Sequence, residues 1–135
     1  ADVNWGCGSS RENAVTAMAA NGVRSVIAPS IADIHYNNCI KNGVLPIRLS
    51  DEICKKLRQQ LGDNPGAELA VDLDAQSVTG PDQTTYNFEI NAFDKHRLLN
   101  GLDDVGLTME FDDKIEAFKQ VYRSKHSWAS PQSTN

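Results

Sequence analysis

The sequence predicts an α/β fold of three layers, with βαβ units first and a β hairpin with terminal helices after. Two observations carry that reading. Between residues 10 and 61, apolar positions at helical spacing alternate with short β-branched runs, and the switches fall at Asn-Gly pairs, prolines and capping serines. Beyond residue 66 the apolar period drops to two, as in strands with one buried face. The chain has 135 residues, 40% of them hydrophobic and 23% charged, enough for one core. The expected domain is 1–126, and the small polar residues of 127–135 read as a flexible tail.

The elements follow in order. A strand of residues 2–5 at most leads into Gly6-Cys7-Gly8. Residues 10–21 form a helix with Ala14, Val15, Ala17, Met18 and Ala19 apolar, and Asn21-Gly22 closes it. Residues 23–28 are a β-branched strand that Pro29 stops. Ser30 with Asp33 reads as a capping box for a helix at 31–41, ended by Asn42-Gly43. Residues 44–49 form the next strand, and Pro46, which has no N–H, assigns it to an edge or a bulge. Ser50 or Asp51 caps a helix through Leu61, with Ile53, Leu57 and Leu61 on one face.

Gly62-Asp63-Asn64-Pro65-Gly66 breaks the helical pattern. Leu69, Val71 and Leu73 then alternate with polar residues, as do Tyr86, Phe88 and Ile90, so the two runs read as an antiparallel pair. Helices follow at 92–100 and 112–125, the latter with Ile115, Phe118, Val121 and Tyr122 on one stripe. Asp103-Asp104 beside Gly101 reads as a turn.

Composition narrows the function. A net charge of −5 disfavours a nucleic-acid backbone as the main partner. No apolar run reaches the length of a membrane span, and no secretory leader precedes the first structured residues. Cys7, Cys39 and Cys54 form no Cys-x-x-Cys pair, so no disulfide framework and no metal or iron–sulfur site is expected on this chain. A reducing, cytoplasmic setting is the simplest fit.

The stretch with most chemistry is Gly6-Cys7-Gly8-Ser9-Ser10-Arg11-Glu12. Glycines permit a tight turn and close approach of the backbone to a ligand. Free N–H groups at a helix start hold anions. Arg11 is misplaced there by the helix dipole alone, so a negative partner is expected beside it, and a guanidinium grips a carboxylate with two parallel hydrogen bonds. Right-handed βαβ connections place this turn at the carboxyl ends of the parallel strands, where open α/β folds bind ligands. A plain capping box also fits: Ser9 would accept from the Glu12 N–H while Glu12 reaches back. That leaves Ser10 and Arg11 unexplained.

Other candidates are weaker. His35 reads as a partly exposed structural histidine, with no triad-like partner. Asp72 and Asp74 share a strand face, more simply solvated than cation-binding. Cys7 lies near a helix start, where a thiolate is favoured, without being required to react. Lys114, Lys119 and Arg123 read as a solvated face. A phosphate-binding loop is disfavoured, because the turn lacks a Gly-Lys-Ser/Thr ending.

The 6–12 motif, followed by Val26-Ile27-Ala28-Pro29-Ser30-Ile31-Ala32-Asp33-Ile34 and Asn42-Gly43-Val44-Leu45-Pro46, closely resembles the swivel domain of the aconitase family. Together with Leu98-Leu99-Asn100-Gly101-Leu102-Asp103-Asp104-Val105-Gly106-Leu107-Thr108, it is most similar to the small-subunit branch that isomerises isopropylmalate in leucine biosynthesis. The resemblance implies a hydro-lyase acting on a hydroxy-dicarboxylic acid. It implies a [4Fe-4S] cluster carried by a large-subunit partner, with no metal on this chain. By motif position, Ser9 would be the base beside a carboxylate, and Ser10 and Arg11 would hold that carboxylate, with Gly6, Cys7, Gly8 and Glu12 as the supporting loop. Two departures stand out: Asn13 occupies a position where the family has His, and the family's N-terminal segment, with its Asp-Thr-Asp-like motif and recognition loop, is absent from this sequence. A related hydro-lyase for citraconate or homoaconitate, and a non-catalytic carboxylate-binding module, remain as alternatives.

Overall fold

A two-stranded parallel sheet is the centre of the fold in the computed structural model, which describes residues 1–8 and 11–129. Strand β1 (Ser25–Ala28) runs beside β2 (Leu45–Arg48), with Ser25 opposite Leu45 and Ala28 opposite Arg48. Helix α2 (Asp33–Lys41) makes the crossover between them. Consecutive strand residues point to opposite faces, and both faces are covered. On one, Val26 and the adjoining Val44 cluster with Val15 of α1 (Asn13–Ala20) and Cys39 of α2. On the other, Leu45, Ile47 and Leu49 cluster with Cys54 and Leu57 of α3 (Asp51–Asp63), with Val78 and with Phe88. The layered α/β reading is therefore borne out. Pro46, opposite Val26, stands on a strand with a single partner among the described residues, the edge position its missing N–H requires.

Local capping explains the helix limits. Ser50 Oγ accepts from the Ile53 N–H at 3.3 Å, and Asp51 and Glu52 fill the first turn of α3, as expected from the sequence. Helix α4 (Ala92–Asn100) opens where Asn91 Oδ1 accepts from the Asp94 N–H at 2.8 Å. It closes at Gly101, whose φ of +62° is the left-handed C-cap that glycine tolerates. Helix α1 begins at Asn13, three residues later than its apolar pattern suggested.

Two expectations in the second half are corrected. The runs around residues 69–73 and 85–90 do not pair with each other. Strands β3 (Ala70–Asp72), β4 (Ser77–Thr79) and β5 (Thr85–Asn87) form an antiparallel sheet in that order, with Val78 of β4 opposite both Val71 and Tyr86. A tight turn brings β4 in, with Asp72 Oδ1 accepting from the Ala75 N–H at 2.8 Å and Gln76 at φ +53°. Asp103-Asp104 is not simply a turn either, because α5 (Asp104–Met109) starts there with an acidic first residue.

The chain divides into two compact units, Ala1–Asp103 and Asp104–Asn135. In the second unit α6 (Asp112–Lys125) has the limits expected, but Phe118, Val121 and Tyr122 are exposed on it. Ser127–Ala129 is a short 3-10 turn. The remaining tail residues, 130–135, lie outside the described residues. Among the described residues no helix is long and apolar enough to cross a membrane.

Candidate functional site

The glycine turn is stitched to the chain that leaves β1. Trp5 donates its N–H to Ser30 O at 3.0 Å and accepts at its own carbonyl from the Ala32 N–H at 2.9 Å, a parallel bridge with Ile31. Ser30 Oγ accepts from the Asn4 N–H at 2.7 Å. Ser30 is thus a staple for this turn and not the cap expected of it. Ala32 occupies the N-cap position of α2, with no side-chain capping bond. The turn itself uses positive φ at Asn4 (+59°), Gly6 (+76°) and Gly8 (+88°), and the Cys7 N–H closes it on Asn4 O at 3.1 Å. Glycine at Gly6 and Gly8 removes the Cβ penalty of that conformation. The turn therefore lies beyond the carboxyl end of β1, where the βαβ argument placed it.

Ser9 and Ser10 lie outside the described residues. Arg11 is exposed, and among the described residues no carboxylate pairs with its guanidinium. The negative partner expected beside it is not supplied within the described chain. Glu12 holds the N-cap position of α1 but makes no side-chain capping bond. Its Oε1 instead accepts from Asn42 Nδ2 at 2.9 Å, and Thr16 Oγ1 lies 3.3 Å from Asn42 Oδ1. Glu12 therefore ties the start of α1 to the end of α2, which makes it a brace for the turn. Asn13, next to it, is exposed.

His35 is the residue that sequence reasoning placed wrongly. It is not partly exposed but 3% exposed, in the first turn of α2. A Cβ built on Gly6 would stand 2.3 Å from the His35 Cγ, so the Gly6 backbone rests directly on the ring. Trp5 meets the ring edge-on at 6.2 Å. Among the described residues neither ring nitrogen has a hydrogen-bond partner, and burial holds the imidazole below its ordinary pKa near 6.5. Spacing could have found it: His35 and Cys39 are four apart, and both face inward while Ile34 faces out.

The remaining candidates do not join this site. Asp74 pairs with Lys95 at 3.6 Å, and Asp72 serves its own turn. Lys119 pairs with Glu116 at 2.5 Å, and Lys114 lies 5.3 Å from the Phe111 ring centroid. Cys7 is exposed, whereas Cys39 and Cys54 are buried in different clusters. Burial pushes the Cys39 thiol up to about 11 and raises that of Cys54. Among the described residues no three His, Cys, Asp or Glu gather as metal ligands. These three thiols do not fit an iron–sulfur cluster.

Comparison with known proteins adds a relationship. The aconitase C-terminal domain model matches residues 1–52, and the LeuD_N model matches residues 55–92. A protein of Paramagnetospirillum magneticum named 3-isopropylmalate dehydratase small subunit is 50% identical over 128 residues, 95% of this chain and 64% of that protein. A protein of the same name from Dinoroseobacter shibae is 50% identical over 125 residues, 93% of this chain and 62% of that protein. The crystal structure of a 3-isopropylmalate dehydratase (LeuD) from Methanocaldococcus jannaschii superposes with a TM-score of 0.63 at 29% identity, covering 87% of this chain and 65% of that one. The chain spans a little under two thirds of the length of the curated relatives it matches. It carries an aconitase C-terminal-type domain and is a homologue of the 3-isopropylmalate dehydratase small subunits.

Proposed function

We propose that this chain supplies the small-subunit half of a 3-isopropylmalate dehydratase site, in the dehydration and rehydration that convert 2-isopropylmalate to 3-isopropylmalate in leucine biosynthesis. The observation that carries the reading is the 50% identity to dehydratase small subunits over 95% of the chain. The exposed turn at the end of β1, with an arginine that no described carboxylate engages, supports it. In this reading Arg11 holds a substrate carboxylate with Ser10, and Ser9 removes the proton on the carbon beside a carboxylate. Glu12 and the three residues Gly6, Cys7 and Gly8 hold the turn in shape.

Magnitudes require a second chain. A helix start stabilises a nearby anion by at most about 2 kcal/mol, and a pKa unit corresponds to about 1.4 kcal/mol. The dipole therefore lowers a serine hydroxyl by only about one to two units, far short of a base at neutral pH. Arg11, backbone donors and a closed, dry cavity must supply the rest. With the described residues of the turn largely exposed, the large subunit is, in this reading, the partner that closes the site and carries the [4Fe-4S] cluster. Three free thiols support a reducing, cytoplasmic setting.

The test is turnover of 2-isopropylmalate by the complex with its large subunit. Ser9→Ala should abolish kcat while leaving assembly intact. Arg11→Lys keeps the charge but loses the fork, and kcat/KM should fall by about 10- to 100-fold, the worth of one or two charge-assisted hydrogen bonds. Unchanged turnover in Ser9→Ala would favour a passive carboxylate-binding module instead.

A further inference from the structure

We propose that His35 is a positioning residue for the glycine turn of residues 4–8: its neutral ring is the surface on which Gly6 rests, and its protonation displaces the turn. The consequence for turnover rests on the hydro-lyase reading above; the displacement itself rests on geometry alone. Ideal Cβ positions on Gly6 fall 2.3 Å from His35 Cγ and 2.6 Å from Cδ2, closer than any side chain tolerates. Gly6 and His35 thus fit only as backbone against ring. Trp5, one residue earlier, packs its ring at 81° to the imidazole, so two consecutive residues of the turn lean on one side chain.

Among the described residues no acceptor stands ready for an imidazolium. On its own helix, Asp33 is exposed and engaged with Arg48 at 3.4 Å, and Cys39 is a buried thiol held neutral. From β2, Arg48 donates to Ile31 O at 3.1 Å and lies 4.7 Å over the Tyr36 ring. From the overlying turn, Cys7 is exposed; ahead of α1, Arg11 and Glu12 are exposed, with Glu12 bound to Asn42. Burial is the cause that depresses the ring's basicity, and the start of α2 also opposes positive charge. A proton on His35 must therefore find water or force it in. The turn is the cover that yields most readily, since a Cβ on Gly8 would meet nothing within 4 Å, whereas α2 is held by its backbone ladder and core. The sign follows: the closed turn belongs to the neutral ring and is lost as pH falls below 6.5 through the lower midpoint of the folded protein.

Trp5 and Trp128 are the two tryptophans, so Trp128→Phe leaves Trp5 as the only indole. In that variant, Trp5 emission should titrate with a midpoint below 6.5, and the titration should vanish in His35→Phe. The reconstituted complex should lose kcat/KM by about tenfold per pH unit below the same midpoint, and His35→Phe should lack that limb. Should His35→Phe not fold, the 15N-labelled wild-type chain decides: the Gly6 amide should shift with the midpoint of the His35 ring protons. A Gly6 amide that stays still, or a Trp5 titration that persists without His35, overturns the proposal. A complex inactive at every pH sinks the hydro-lyase reading, while fluorescence and the Gly6 amide still decide the role of His35.

Discussion

Cys7, Cys39 and Cys54 occupy three different environments, and their reactivities should differ accordingly. Cys7 is exposed in the glycine turn, Cys39 is fully buried and Cys54 is 3% exposed. A thiol reacts as its thiolate and only where reagent reaches it, and burial pushes both interior thiols up. Iodoacetamide should therefore modify one thiol per native chain, at Cys7, and all three after unfolding; mass spectrometry reads the count. Two native thiols alkylating at similar rates would contradict the packing around Cys39 or Cys54. The turn that holds Cys7 was legible because its glycines answer a local demand, φ near +76° and +88° at Gly6 and Gly8. His35 was not legible, because its burial is set by what packs on α2 and not by its own polarity. Ser30 misled for a related reason: its hydroxyl had two chemically sensible uses, and the partner it takes, the Asn4 N–H, is 26 residues away.

Among the elements, those with local punctuation were readable and those without it were not. Helices α4 and α6 have the limits expected of them, and α3 opens at Ser50. Strand β4 escaped notice because Ser77-Val78-Thr79 has one apolar residue and so no period to read, yet Val78 is fully buried between two strands. Helix α5 escaped because Gly106 breaks its pattern. The energetic ranking differs from the ranking in legibility. Ile47 of β2 is fully buried in the larger core cluster, and Ile47→Ala should cost about 2–5 kcal/mol. Ser50→Ala removes one capping bond at an exposed helix start and should cost about 1 kcal/mol. Denaturant unfolding of both variants checks the order; a larger loss for Ser50→Ala would mean that β2 is not the core strand.

At the scale of the whole molecule, the described residues of the glycine turn lie largely at the surface, with Cys7 and Gly8 exposed. The turn follows the Trp5–Ile31 bridge, and Arg11 beyond it has no carboxylate partner among the described residues. The half-site proposed here rests on seven residues, since glycine, serine and arginine suggest their uses locally. The other half was not legible in the sequence, because a cavity is a property of what closes over the turn. The central claim is that this chain completes a dehydratase site only with a large subunit. The measurement that tests it most directly is turnover of 2-isopropylmalate by this chain alone, by the large subunit alone and by the two mixed. Activity in the mixture only, abolished by Ser9→Ala, is the predicted result. Turnover by this chain alone, or a mixed complex indifferent to Ser9, would contradict it.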